Sequence, residues 1–186
     1  MKRKCAVTEQ ILILERIDTP TGPMLMVTNT ERRLRALDWE DHEKRMLKLL
    51  QRYSGPELVH LENAARPSEL AYAVQAYFEG EMAVLADLPI ASGGTEFQNM
   101  VWDALRSIPA GETLSYGALA AKIGRPSATR AVGLANGANP IAIVVPCHRV
   151  IGADSSLTGY GGGVERKRWL LHHERKHVSK GHAPSN

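Results

Sequence analysis

The run "SYGALAAKIGRPSATRAVGLANGANP" (Ser115–Pro140) decides how the second half of the chain folds. Alanine and leucine favour helix on both sides of "GRP" (Gly124–Pro126), where glycine and proline together impose a tight turn. Ser115 and Ser127 stand where each helix needs a side-chain acceptor for its unpaired first amides. Two short helices joined in this way form a helix-turn-helix, whose second helix can lie in a DNA groove. An ordinary helical hairpin gives the same pattern. The second helix favours the former: Ala128, Val132 and Ala135 can face inward, leaving Thr129, Arg130 and Gly133 outside. Small residues around one arginine let a partner come close, with Arg130 as the projecting group.

Downstream, Asn139 and Pro140 end the second helix, and the apolar run "IAIVVP" (Ile141–Pro146) leads into Cys147. A cysteine closing a fully buried strand is usually an inert small hydrophobe. Here His148 follows at once, and Glu174 lies on a later amphipathic segment, "ERKRWLLHHERK" (Glu165–Lys176). A thiol, an imidazole and a carboxylate supply a nucleophile, a base and a group to orient the base. A thiol beside a base or cation can be held as thiolate below its free pKa of ~8.5. His172, His173 and His177 invite a metal reading, but no cysteine or carboxylate pattern completes it. They read as solvent-facing, and no metal is expected. "GYGGG" (Gly159–Gly163) lacks the Lys-Ser/Thr ending of a phosphate loop and the framing of a dinucleotide fingerprint. It reads as backbone allowed close to a flat ligand, with Tyr160 as one wall.

Upstream, "ILILERI" (Ile11–Ile17), "MLMVTN" (Met24–Asn29) and "RLRALDW" (Arg33–Trp39) are short runs separated by turn residues, the pattern of antiparallel strands. "DHEKRMLKLLQRY" (Asp41–Tyr53) is helical by its spacing. Pro67–Phe78 is a second helix, with Leu70, Val74, Tyr77 and Phe78 on one face and Gly80 just past the end. "MAVLADLPI" (Met82–Ile90) is expected to be a further strand. These residues, 1–91, read as a small α/β domain, and "ASGGT" (Ala91–Thr95) punctuates the chain where that domain ends. Thr95 then caps a helix carrying Phe97, Val101, Trp102 and Leu105 inward. The second domain is mostly α and runs over 92–176, with 177–186 as a frayed tail.

Composition bounds the rest. At 186 residues, 44% hydrophobic and 23% charged, the chain is ordinary for a water-soluble protein. The basic start "MKRKCAVTEQ" is interrupted before any long apolar region, so neither a cleaved signal peptide nor a membrane span is expected. Cys5 and Cys147 are too few for a disulfide framework, and a reducing, cytoplasmic setting is the default. Charge is uneven: residues 1–91 carry 12 Lys+Arg against 14 Asp+Glu, whereas 92–186 carry 11 against 6. A +5 balance around Cys147 suits a polyanion, though a solvated basic surface has the same charge.

Taken together, "GTEFQNMVW", "IPAGETLSYGALA", "RAVGLANGANP", "VPCHRVIG" and "TGYGGGVERKRWLLHHE" resemble the O6-alkylguanine-DNA alkyltransferase family of bacterial type, over nearly all of Gly94–Glu174. "TPTGPMLMV" is similar to the start of bacterial members. The resemblance implies a ribonuclease-H-like α/β N-terminal domain and a C-terminal helix-turn-helix domain holding the reactive cysteine. It implies that Cys147 accepts an alkyl group from O6-alkylguanine in double-stranded DNA, with O4-alkylthymine as a second candidate lesion. His148, through a water and oriented by Glu174, would make the thiolate. Tyr116 would donate to guanine N3, and Asn139 would brace the turn beside the active site. Carbonyls of Val150 and Cys147 would hold the guanine amino group, Tyr160 would wall the base, and the Gly161 N–H would donate to O6. Arg130 would fill the space of the flipped base, on a DNA-facing helix that includes Ala128, Thr129 and Gly133. The family often has proline where this chain has Glu96 and alanine where it has Thr129. No cofactor, no metal and a monomer are implied.

The chemistry agrees with the resemblance. An O-alkyl lesion is a saturated electrophilic carbon on a purine leaving group, which suits a soft thiolate. The thioether product has no easy hydrolytic exit, so the protein would act once and be consumed. Two rivals use the same residues: a cysteine hydrolase built on Cys147 and His148, and a non-catalytic helix-turn-helix lesion binder or sensor.

Overall fold

The computed structural model describes residues 9–55 and 58–178; Cys5 lies outside them. Strands β1 (Glu9–Ile17), β2 (Met24–Asn29) and β3 (Leu34–Trp39) form an antiparallel meander. The first hairpin turns at Gly22, whose φ of +105° suits a residue without Cβ. Helix α1 (Glu43–Tyr53) then carries the chain across to β4 (Leu58–Asn63), which adds parallel to β1, giving the order β3-β2-β1-β4. The sheet is therefore mixed, where sequence reading gave only its antiparallel part.

Period-two alternation explains why "MLMV" in β2 is buried throughout: both faces of the sheet are covered. Leu25 and Val27 join Leu12 and Ala36 in a small core against Met46 and Leu50 of α1. Met24 and Met26 face the opposite way, with Leu34, Leu37 and Trp39, into the main core shared with the helices that follow. Helix α2 (Glu69–Glu79) packs Val74, Tyr77 and Phe78 into that core, is capped by Ser68, and ends at left-handed Gly80. The expected strand over 82–90 does not form. Met82–Leu85 is a short 3-10 turn, and only Ile90 makes an isolated bridge, to Leu34. The outer edge of β3 is shared, with Leu34 bridging Ile90 and Leu37 bridging Ile141, so the segment meets it only at Ile90.

Helix α3 (Glu96–Arg106) begins at Thr95 in a reciprocal cap with Gln98, the expected start, and buries Val101, Trp102 and Leu105. Helices α4 (Tyr116–Lys122) and α5 (Thr129–Gly137) are the pair read from Ser115–Pro140. Ser115 caps α4 by accepting from Ala118 N at 3.1 Å. Ser127 does not cap α5. It sits within a 3-10 turn over Pro126–Ala128, so α5 opens at Ala128 without a side-chain cap. Val132 and Ala135 face inward, and the Trp102 indole donates to Ala135 O at 2.9 Å, fixing α5 on α3.

Ile141–Pro146 is buried but is not a strand: Ile143 has a φ of +69° and the segment coils. Such a conformation is costly for a β-branched residue and persists because the core surrounds it. Leu37 N donates to Pro140 O and Ala142 N to Leu37 O, so β3 pins this segment directly. Short parallel strands β5 (Leu114–Ser115) and β6 (Val150–Ile151) tie the start of α4 to the residues after Cys147. Helix α6 (Val164–Val178) closes the core. It continues through His177 and Val178, where a frayed tail was expected to begin, because His177 packs over Gly80 and its Nδ1 lies 2.8 Å from His173 O. No helix among the described residues is long and apolar enough to cross a membrane.

Candidate active site

Cys147 opens a 3-10 turn, Cys147–Arg149, directly after the coiled apolar run, and is buried. Its partner is Asn139. The Asn139 amide donates to Cys147 Sγ at 3.1 Å and to Val145 O at 2.8 Å, while its oxygen accepts from Ile141 N at 2.9 Å. One buried side chain thus fixes the end of α5, the coiled segment and the thiol together. Burial pushes the thiol's pKa up, against the Asn139 hydrogen bond and the charges of Arg45 and Lys167. With its pKa raised, the resting group is a neutral thiol.

His148 follows the thiol in the same turn. Its Nε2 lies 2.9 Å from Glu174 Oε1, and both side chains are wholly buried. Burial lowers the imidazole's pKa, against the pull of Glu174, so the ring is neutral near pH 7. With the carboxylate ionised, Nε2 carries the proton and donates it, which leaves Nδ1 as the basic nitrogen. Nδ1 is buried without a partner among the described residues. Glu174 also accepts from Arg149 Nε and Nη2, the Tyr77 hydroxyl at 2.9 Å and Gly111 N at 3.0 Å. It therefore joins α2, the loop after α3 and the Cys147 turn.

Around the thiol, Tyr160 is edge-on to both Trp39 and His148, with its hydroxyl buried and unpartnered among the described residues. Gly162 lies so close to the Trp39 ring that any Cβ would collide with it. A Cβ on Gly161 would meet the Arg45 guanidinium at 2.7 Å. Val150 O accepts from the buried Lys167 ammonium at 2.6 Å, and Cys147 O from Asn136 at 3.4 Å. Each carbonyl keeps a second lone pair. Tyr116 stands at the start of α4, half-buried, with its ring facing Gly133 of α5. On α5, Thr129 and Arg130 are exposed, and Ala128 and Gly133 are half-buried. His173 corrects another expectation: it is buried, stacked on Trp169 and bonded to Tyr77 O. Among the described residues no group of His, Cys, Asp and Glu could hold a metal.

A thiol held behind a helix-turn-helix, with an imidazole and carboxylate beside it, can be compared with known proteins. Residues 96–176 match the model of the 6-O-methylguanine DNA methyltransferase DNA-binding domain, and residues 12–92 that of its ribonuclease-like domain. The chain belongs to the 6-O-methylguanine DNA methyltransferase family. The methylated-DNA–protein-cysteine methyltransferase of Salmonella typhimurium is 54% identical over 166 residues, 88% of this chain and 95% of the relative. The Mycobacterium tuberculosis O6-methylguanine methyltransferase structure is 39% identical with a TM-score of 0.69, over 94% of this chain and 96% of that one. A structure of Mycobacterium tuberculosis OGT in complex with DNA is 41% identical with a TM-score of 0.70, covering 90% and 94%. The two-domain architecture of the family, a mixed-sheet domain followed by a helical one, is that of this chain.

Several residues that surround Cys147 and Glu174 in the structure escaped sequence reading: Lys167, Arg149, Asn136, Arg45 and Tyr77. Lys167 carried a signal. It stands three, four and seven residues before Leu170, Leu171 and Glu174, so an inward face holding Glu174 also holds Lys167.

Proposed function

We propose that the chain repairs alkylated DNA by direct transfer of the alkyl group, methyl above all, from O6-alkylguanine in the duplex to Cys147. The observation that carries this reading is the buried Cys147 thiol, held by Asn139 in the turn after α5, with the His148–Glu174 pair in place to activate it. The thiol proton passes to His148 Nδ1 through a water, and the sulfur attacks the alkyl carbon. The S–C bond forms as the C–O6 bond breaks, and the electron pair leaves with the purine. Tyr116 supplies a proton to N3, the Gly161 N–H stabilises O6, carbonyls of Val150 and Cys147 select the amino group, and Tyr160 lies along the base. Arg130 enters the stack, while Ala128, Thr129 and Gly133 let α5 approach the duplex. The domain boundary at 91/92, action as a monomer and a cytoplasmic setting complete the proposal.

A hydrolase is not favoured, because Cys147 Sγ is bonded to Asn139 rather than to its neighbour His148. A pure binder gives no role to the buried Cys147 thiol or to His148 Nδ1 in the same turn, unpartnered among the described residues. Titration with a methylated duplex should give one thioether on the Cys147 peptide per protein, with no later steady phase. Product beyond one equivalent would overturn the single-use reading.

Base extrusion is separable from bond breaking. Removing a base from the stack costs a few kcal/mol, which an inserted side chain helps offset. Arg130→Ala should therefore slow single-turnover reaction with duplex DNA at least about tenfold more than reaction with free O6-alkylguanine. Equal slowing of both would remove Arg130 from the extruding role.

A further inference from the structure

Helix α1 belongs to the N-terminal half, yet it lies beside α5. Two of its side chains hold it there: Arg45 Nη2 donates to Gly137 O at 2.9 Å and to Asn139 O at 3.2 Å, and the Tyr53 hydroxyl to Ala138 O at 3.1 Å. Arg45 is itself fixed by the buried Asp38 carboxylate at 2.5 Å. Between the two helices runs an open groove of about 350 Å³, lined by Lys48, Leu49 and Arg52 on one side and Gly133, Leu134 and Gly137 on the other. Lys48 and Arg52 are one helical turn apart, exposed, and make no hydrogen bond or ion pair among the described residues. Among the described residues no acidic side chain lines the groove. Leu134 on the opposite wall is 72% exposed, and no atom lies within 4 Å of a Cβ placed on Gly137, so α5 is open along this flank.

From this juxtaposition we infer that the Lys48–Arg52 face of α1 is a second DNA-contacting element, which grips the phosphodiester strand along one flank of α5. The inference rests on the reading that α5 lies in a groove of the duplex. A helix seated in such a groove has a sugar-phosphate strand on each side. On the α1 side, that strand passes the open Gly133–Gly137 flank and meets Lys48 and Arg52, two cations that no described acidic side chain pairs. Residues 1–91 are net acidic, so attraction by the N-terminal half as a whole does not account for the site. The local pair does, because it continues the interface formed by Thr129 and Arg130. The Asp38–Arg45 pair serves as the staple that keeps α1 in register with α5.

The test compares salt dependence of binding to an undamaged duplex, measured by anisotropy, for the wild type and Lys48→Gln/Arg52→Gln. Each phosphate contact contributes about 0.9 to the slope of log affinity against log salt. The double variant should lose about 1.8 of that slope and bind at least about tenfold more weakly at low salt, on the same basis. Its single-turnover rate with free O6-alkylguanine should not change, and Lys48→Arg/Arg52→Lys should keep the wild-type slope. Arg66→Gln, which removes an exposed charge before α2, should also leave the slope intact. A wild-type slope in the double variant overturns the inference. So does a loss of about 0.9 in Arg66→Gln, half that of the double variant for half the charge removed, which makes the effect one of net charge. If Arg130→Ala and Thr129→Ala also leave duplex affinity unchanged, it is the placement of α5 in the duplex that fails.

Discussion

Cys147→Ser is expected to abolish alkyl transfer, by a factor on the order of 10⁶, the scale on which loss of a nucleophile is felt in covalent catalysis, while duplex binding stays within about twofold. The sulfur is the only atom that changes, and its partner Asn139 also holds backbone. Asn139 still bonds Val145 O and Ile141 N in the variant, so the turn keeps its shape. A serine hydroxyl in the same buried position faces a larger deprotonation barrier than a thiol and is a harder, poorer nucleophile toward saturated carbon. The wild-type thiol already starts neutral, because burial raises its pKa. The base next to it has a lowered pKa, so it takes a proton less readily from an alcohol than from the more acidic thiol. The measurement is intact mass and peptide mapping after incubation with methylated duplex, alongside anisotropy. Methyl transfer at undiminished rate, or a methyl group on another residue, would displace Cys147 as acceptor.

The same site shows what a sequence carries and what it withholds. Cys147 and His148 were legible because they are adjacent, and the helix pair because "GRP" interrupts two helix-forming runs. The first three strands were legible from short apolar runs between turn residues. β4 was not, because "LVHLEN" lies at the sheet edge with its side chains half-buried or exposed, which weakens the apolar signal. Ile141–Pro146 reads as a strand because only burial shows in composition. The positive φ at Ile143 is imposed by Asn139 and β3, which sequence does not place nearby. Charged contacts were the hardest to foresee. Tyr77 and Glu174 are 97 residues apart, and Arg45 and Gly137 are 92 apart. Such pairs are set by how α1 and α2 dock on the second half, and local periodicity says nothing of docking. Glu174 itself was reached as a carboxylate on a later amphipathic segment that could orient His148, and its role as a junction of several elements was not.

That junction makes Glu174→Gln the second most damaging single change. The carboxylate is wholly buried and receives His148, Arg149, Tyr77 and Gly111. Burial pushes its pKa up, but the charges and hydrogen bonds of His148 and Arg149 outweigh this and hold it far below the usual carboxylate range. Removing the charge leaves the Arg149 guanidinium buried without its counterion, a change that costs about 3–5 kcal/mol in comparable pairs. Linkage fixes the pH window. A depressed folded pKa contributes stability that is complete above the unfolded value near ~4.3 and is lost as pH falls toward the folded one. The gap in unfolding free energy between wild type and Glu174→Gln should thus be full at pH 7 and begin to narrow below about pH 4. Activity should fall as well. A glutamine can either donate to or accept from Nε2, so it no longer fixes the proton there and leaves Nδ1 basic only part of the time. Loss of positioned base catalysis on that account is on the order of 10²–10⁴ in single-turnover rate, and it applies to duplex and free base alike, because His148 acts on the thiol and not on extrusion. Tyr77→Phe separates the two effects: it removes one hydrogen bond to the carboxylate, costing about 1.5–3 kcal/mol, but leaves the charge that orients His148. Denaturant unfolding at pH 7 and pH 4, with single-turnover rates for both variants, reads the outcome. A pH-independent stability gap in Glu174→Gln, or a Tyr77→Phe rate as low as that of Glu174→Gln, would mean that the carboxylate's charge is not what holds the site.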